Sequence, residues 1–314
     1  MSRIPIILDG DPGHDDAIAW VLAFAHPEAF DIRGAVSVSG NAVLEKTTYN
    51  MLRVLTLLGA TDIPAAAGAE RPLCGEPRPA PSVHGQSGLD GPALPEPGFD
   101  LCGLSGAELM AKLLRESAEP VTLVPTGPLT NVAALFLAHP ELKAKVARVS
   151  LMGGGLLSGN WTPVAEFNIL VDPEAAKIVF ESGVPITMAG LDVTEKAWVT
   201  PEEFEKIRAV GGKAAQVVAD WLEFFYGYHK ALGYPGATLH DPVAVAALLR
   251  PEIMTARELY VQIETCGEYC KGATIGDFYG RSGRAPNVTA ILDIDRPAFV
   301  EMIIDAVRYY KGVI

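Results

Sequence analysis

Up to Ala189, apolar runs of strand length alternate with longer stretches at helical spacing, and that alternation restricts the chain to a mostly parallel sheet covered by helices. Strands are expected at Ile4 to Leu8, Ile32 to Val38, Ile63 to Ala67, Val121 to Pro125, Val146 to Met152 and Ile186 to Ala189. Helices are expected between them at Asp16 to Ala25, Leu44 to Leu58, Ala107 to Glu116, Asn131 to Ala138 and Pro173 to Ser182. Right-handed crossovers then put the strand C-termini on one edge of the sheet, where open α/β folds bind ligands. After Leu191 the pattern changes to a helical stretch from Pro201 to Tyr228, a loop at Gly233 to Ala237 and a helix from Pro242 to Leu249. Two more strands, Glu258 to Ile263 and Asn287 to Leu292, precede a final helix from Arg296 to Tyr310. Arg71 to Asp100 is rich in Pro and Gly and has no periodicity, and a loop of that length in a compact domain usually has a function. The expected fold is one α/β domain over residues 1–314, a mostly parallel open sheet flanked by helices with a mainly helical C-terminal part.

With 49% hydrophobic and 20% charged residues among 314, the chain can bury a sizeable core and does not read as disordered. A net charge of −13 argues against a nucleic-acid partner, which would need clustered Lys and Arg. The longest apolar runs, such as Ala17 to Ala25 and Val132 to Ala138, fall short of the roughly 20 residues of a membrane span. MSRIPIILDGD enters a strand pattern without the features of a signal peptide, so a cytoplasmic location is expected. Cys74, Cys102, Cys266 and Cys270 are scattered, and free thiols are expected of them.

The sharpest local feature is ILDGDPGHDDA, which sets Asp9, Asp11, Asp15 and Asp16 between an apolar strand and an apolar helix. Helix capping accounts for one or two carboxylates there, but not for four. Such a cluster must hold protons or be compensated by a cation. Oxygen donors without nearby His or Cys point to Ca²⁺ or Mg²⁺. Far along the chain, Asp241 in Leu239-His240-Asp241-Pro242 reads by itself as an N-cap with Pro at the first helical position. Thr126 and Asn131 follow one strand, and Glu166, Phe167 and Asn168 follow another after Gly153 to Gly155. No Gly-Lys-Ser or Gly-Lys-Thr follows those glycines, so a tight turn beneath a ligand fits them better than a phosphate loop.

DGDPGHDDA, VSGN at Val38 to Asn41, VHGQSGLDGP, PTGPLTN, AEFN and LHDP together resemble the inosine-uridine nucleoside hydrolase family over essentially the whole chain. ESAEP, GNWTP, EFNILVDPEAA and MAGLDVT look closest to its bacterial pyrimidine-specific ribonucleoside hydrolases. The resemblance implies hydrolysis of the N-glycosidic bond of ribonucleosides, uridine and cytidine preferred, with one Ca²⁺ per chain. It implies metal ligation by Asp11, Asp16, Asp241 and the Thr126 carbonyl, with Asp11 also the general base. Asp15, Asn41, Glu166 and Asn168 would hold the ribose, and Asp9 would support the site from behind. His240 is the first candidate for protonating or contacting the leaving base, and His84 the second. Tyr228 and Tyr234 are expected near the base, by stacking or through their hydroxyls, and Phe167 reads either as a wall of that pocket or as core. The family habit suggests a homotetramer. The competing readings are a purine-accepting or broad-specificity hydrolase and a non-catalytic calcium-dependent sugar-binding protein. A phosphatase of the haloacid dehalogenase type also starts with a strand ending in Asp-x-Asp, but here Pro12 and Gly13 follow instead of its Thr or Val.

Overall fold

The computed structural model describes residues 3–313. Six strands come first: β1 (Ile4–Gly10), β2 (Phe30–Ser37), β3 (Ala65–Ala67), β4 (Val121–Pro125), β5 (Val146–Met152) and β6 (Ile186–Ala189). Beyond them lie β7 (Trp198–Val199), β8 (Ala237–Thr238), β9 (Met254–Leu259), β10 (Val261–Ile263), β11 (Thr274–Gly276) and β12 (Val288–Ile294). The main sheet has eight strands in the order β3-β2-β1-β4-β5-β6-β12-β9, all parallel except the edge strand β9. Near-continuous apolar sequence suits such strands, because helices cover both faces. Ile7 and Leu123 belong to the buried cluster on one face, Ile6, Leu8 and Val124 to that on the other.

β1 lies between β2 and β4, so the chain leaves it toward one side of the sheet and returns on the other. Asp9 pairs with Val36 of β2 and with Pro125 of β4 at this reversal. A crevice at the strand ends is the physical consequence. The helix His14–Phe24 that follows is buried almost all round, with Ile18, Trp20 and Leu22 fully covered. It packs against the helices Pro242–Leu249 and Arg296–Tyr309, and burial of each large apolar side chain contributes about 1.5–3 kcal/mol. Its first turn, which carries Asp15 and Asp16, is therefore held on a rigid element.

The mostly parallel sheet expected from the sequence is the one observed, with three local differences. The helical stretch after Pro201 is two helices, Pro201–Val210 and Lys213–Ala231, because Gly211 and Gly212 adopt φ of 80° and 91°. The strand expected at Glu258 to Ile263 is two, β9 on the main sheet and β10 in a separate hairpin with β11. The long loop holds a one-turn helix, Pro81–His84. No described helix is long and apolar enough to cross a membrane.

Candidate active site

β1 ends at Gly10, and the turn after it directs successive carboxylates to different places. Asp9 points back into the sheet, where Oδ1 accepts from Asn131 Nδ2 at 2.8 Å and Oδ2 is buried without a partner among the described residues. Burial pushes its pKa up to about 7 despite that hydrogen bond. Asp11 is fully buried at the crevice, its Oδ2 accepting from the Asn41 amide at 2.6 Å while Oδ1 has no hydrogen-bond partner among the described residues. A Cβ on Gly127 would lie 2.6 Å from that Oδ1, so a larger residue would close the space beside it. Asp16 caps its own helix: Oδ2 accepts from Gly13 N at 3.0 Å, and Oδ1 from Thr126 Oγ1 at 2.7 Å and Asp11 N at 3.2 Å. Capping and clustering, alternatives in the sequence, are thus both served by this side chain.

Asp15, Asp16 and Asp241 are buried and offer one carboxylate oxygen each within 4.8 Å of one another. Asp241 arrives from the start of the helix Pro242–Leu249, which lies against His14–Phe24. Burial, then the neighbouring Asp16, pushes Asp15 up to about 8; Asp241 is raised well above the carboxylate range by burial, then by Asp15 and Asp16. Asp11 is raised likewise, by burial first and Asp16 next. Among the described residues, no Lys or Arg hydrogen-bonds any of these carboxylates. Close carboxylates of this kind keep protons or share a cation, and the unpartnered Asp11 oxygen with three convergent carboxylates fits a hard, oxygen-seeking divalent ion. The ligand set that the resemblance implies is Asp11, Asp16, Asp241 and the Thr126 carbonyl; Asp15 joins Asp16 and Asp241 in the cluster that converges here.

The next wall comes from the end of β5 and the short helix Phe167–Val171. Glu166 caps that helix, accepting from Asn168 N at 2.9 Å, Ile169 N at 3.1 Å and Gly154 N at 2.9 Å. Asn168 Nδ2 donates to the Thr126 carbonyl at 2.9 Å. Phe167 lines the same cavity, tilted against Trp161 with ring centres 4.8 Å apart. Asn160 Oδ1 accepts from Phe167 N at 3.0 Å, which fixes the loop before the helix.

Opposite the carboxylates stand histidines and aromatics. His84, at the end of the one-turn helix, and His240 both line the cavity, as do Tyr228 and His229. Burial lowers His240 to about 3 and His229 to about 4, so both rings are neutral near pH 7. His240 Nδ1 lies 2.8 Å from Thr194 Oγ1. The Phe225 carbonyl, 3.1 Å from His229 Nδ1, can only accept, so that nitrogen of the neutral ring carries the proton. Tyr234 stands apart from the cavity lining: its hydroxyl donates to Glu195 at 3.1 Å.

The structure thus gathers Asp11, Asp15, Asp16, Asn41, Thr126, Glu166, Phe167, Asn168, His84, Tyr228, His240 and Asp241 around one crevice, with Asp9 beneath it. Sequence reasoning missed His14, Asn160, Trp161 and His229. His229 had a signal, a polar residue one turn after Phe225 in a helix that buries this face.

A family model described as inosine-uridine preferring nucleoside hydrolase matches residues 6–301. The chain is 55% identical over 309 residues to the pyrimidine-specific ribonucleoside hydrolase RihA of Escherichia coli (strain K12), covering 98% of this chain and 99% of the relative. The Shigella flexneri protein of the same name is similar to the same extent. Among solved structures, the purine-preferring ribonucleoside hydrolase from Gardnerella vaginalis superposes with a TM-score of 0.92 at 29% identity, over 99% of this chain and 100% of the other. The plant nucleoside hydrolase PpNRh1 gives 0.91 at 29% identity, over 98% and 99%.

Proposed function

The chain belongs to the inosine-uridine preferring nucleoside hydrolase family, and from that membership we propose that it cleaves pyrimidine ribonucleosides to ribose and free base with the help of one bound Ca²⁺. Its enzyme class, nucleoside hydrolase, comes with the family; the pyrimidine preference follows the 55% identity to proteins of that specificity. The observation that carries the reading is the unpartnered Asp11 oxygen beside the Asp15, Asp16 and Asp241 triad, facing neutral histidines across one cavity.

Asp11, Asp16, Asp241 and the Thr126 carbonyl would hold the cation, with Asp15 close enough to share it. Calcium would screen the carboxylates from one another and make water more acidic. Asp11 is the general base. Its free oxygen takes a proton from water as the water oxygen bonds to C1′, and the C1′–N bond breaks with its electron pair going to the base. Positive charge develops on the ribose ring as that bond stretches. The carboxylates beneath the sugar stabilise that charge. Asp15, Asn41, Glu166 and Asn168 orient the ribose, and Glu166, through its backbone hydrogen bonds, also stiffens the helix that carries Asn168. The departing base accumulates negative charge and is met by the His84 and His240 side of the cavity. The N–H of a neutral His240 can hydrogen-bond that charge, or pass a proton to it. Tyr228 and Phe167 form the apolar sides of the base pocket.

A panel of uridine, cytidine, inosine and adenosine with reducing-sugar detection tests the reading. Highest kcat/KM for uridine and cytidine is expected. A kcat/KM for inosine at or above both would make the enzyme purine-accepting, and cation-dependent ribose binding without sugar release would make it a binding protein. The same resemblance leads us to propose a cytoplasmic homotetramer, checked by light scattering and cell fractionation.

A further inference from the structure

We propose that His14 is a positioning residue that holds His84 with its Nε2 edge turned toward the nucleobase. The inference rests on the nucleoside hydrolase reading above and assigns a task to a residue lying between the acidic turn and the base pocket.

His14 and His84 are joined in a closed ring of contacts. His14 Nε2 lies 2.7 Å from the Asp90 carbonyl oxygen, which can only accept, so this nitrogen carries a proton. The Asp90 amide in turn donates to the His84 carbonyl at 3.1 Å. The circuit closes at His84 Nδ1, 3.1 Å from His14 Nδ1: with the His14 proton on Nε2, His14 Nδ1 accepts and His84 Nδ1 donates, while the His14 backbone nitrogen lies 3.3 Å from the same His84 atom. Both contacts occupy the same nitrogen of His84. Its other nitrogen, Nε2, is the one left for a ligand in the cavity that this ring lines.

His14 is itself fixed. It is completely buried, and its ring stacks on Phe224 and Phe225 with centres 4.9 and 5.4 Å away and planes within 11°. A Cβ on Gly13 would sit 2.6 Å from His84 Nδ1, so the helix start approaches His84 as closely as a bare glycine allows. Asp90 also ties down the turn after His84, accepting from Gln86 N and Ser87 N at 2.9 Å each. The helix that places Asp15 and Asp16 under the sugar therefore also aims the imidazole opposite, through one residue.

The test is a double-mutant cycle on kcat/KM for uridine with His14→Gln, His14→Asn and His84→Ala. A Gln amide reaches about as far as Nε2 and keeps the Asp90 contact while leaving His84 Nδ1 without its side-chain partner. An Asn amide does the reverse. His14→Gln is expected to lower kcat/KM about 10- to 100-fold, the range for groups that orient a functional imidazole, and His14→Asn is expected to restore most of it. Joined to His84→Ala, His14→Gln should add no more than about twofold, the scatter of non-interacting sites. Calcium affinity by calorimetry should not move in either variant, whereas a merely structural disturbance of the acidic turn would weaken it. An undiminished His14→Gln loss in the His84→Ala background, or a fall in calcium affinity matching the loss of turnover, overturns the proposal. Should His14→Gln fail to fold, a loss in His14→Asn as large as that expected for Gln overturns it equally. A wild-type protein inactive on every nucleoside would instead refute the underlying reading.

Discussion

Asn41 donates its backbone amide to Oδ2 of Asp11 at 2.6 Å and leaves the other Asp11 oxygen free. One carboxylate is in this way divided between a fixed oxygen and an available one. Asp11→Asn keeps the shape but removes the proton acceptor, and general base catalysis is worth about 10²- to 10⁴-fold. We expect kcat for uridine to fall by at least that much, while KM changes less because Asp15 and Asn168 remain. Turnover within tenfold of wild type, well under that range, would move the base to another residue.

Stability without the cation should depend on pH in a direction opposite to that of a salt-bridged carboxylate. Burial raises Asp9 to about 7 and Asp15 to about 8 from 3.8, so between those limits the folded chain binds more protons than the unfolded one. Stability is then greatest below about pH 4 as far as these groups are concerned, and is lost as pH rises through 7 to 8. Chelated protein is expected to melt at lower temperature at about pH 8.5 than at about pH 5.5, and added Ca²⁺ should restore most of the difference by mass action. A melting temperature of the chelated protein that rises over this interval would contradict the burial argument.

The ribose hydroxyls offer a sharper test than the base. If the cation and the Asp15 side of the crevice hold the 2′-hydroxyl, 2′-deoxyuridine leaves buried polar groups without a partner. Sites built around a hydroxyl reject analogues lacking it by roughly 10⁴ to 10⁵ in kcat/KM. The ratio of kcat/KM for uridine over 2′-deoxyuridine at saturating Ca²⁺ measures this. A ratio under about 10, less than one lost charged hydrogen bond, would remove the ribose from the acidic cluster.

Asp172 governs a different property. Its carboxylate accepts from Leu73 N at 2.8 Å, Thr130 Oγ1 at 2.7 Å and Ala175 N at 3.0 Å, joining the long loop to two helices. Asp172→Ala strands these donors and should cost about 1–3 kcal/mol. Limited proteolysis should then cut between Arg71 and Asp100 faster than in wild type. An unchanged cleavage rate there would mean that the loop is held by other contacts.

The strands and most helices could be read from the sequence because each carries its own period, and β4, β5 and β6 end where the apolar runs end. The acidic turn was legible for a similar reason: four carboxylates in eight positions exceed what capping requires. What escaped was tertiary. Nothing local to His14 reveals that Asp90 and His84 close a ring with it, and His229 is hidden among aromatics that share its helix face. The Gly211-Gly212 break was readable in principle, yet the apolar period on either side of it masked the interruption. Tyr228 and Tyr234 look equivalent as residues, and only the turn after the helix end at Ala231 separates one into the cavity lining from the other at Glu195.

Asp15 and Asp16 are made with the first helix, but Asp241 joins them only when the helix Pro242–Leu249 docks against it. On the ribosome, the N-terminal carboxylates leave the exit tunnel long before their partner exists. A chain halted short of residue 241 would carry two of the three carboxylates and nothing to complete the triad. Assembly of the acidic triad thus reports that the helices His14–Phe24 and Pro242–Leu249 have docked, and a contact of such long sequence separation is slow to close.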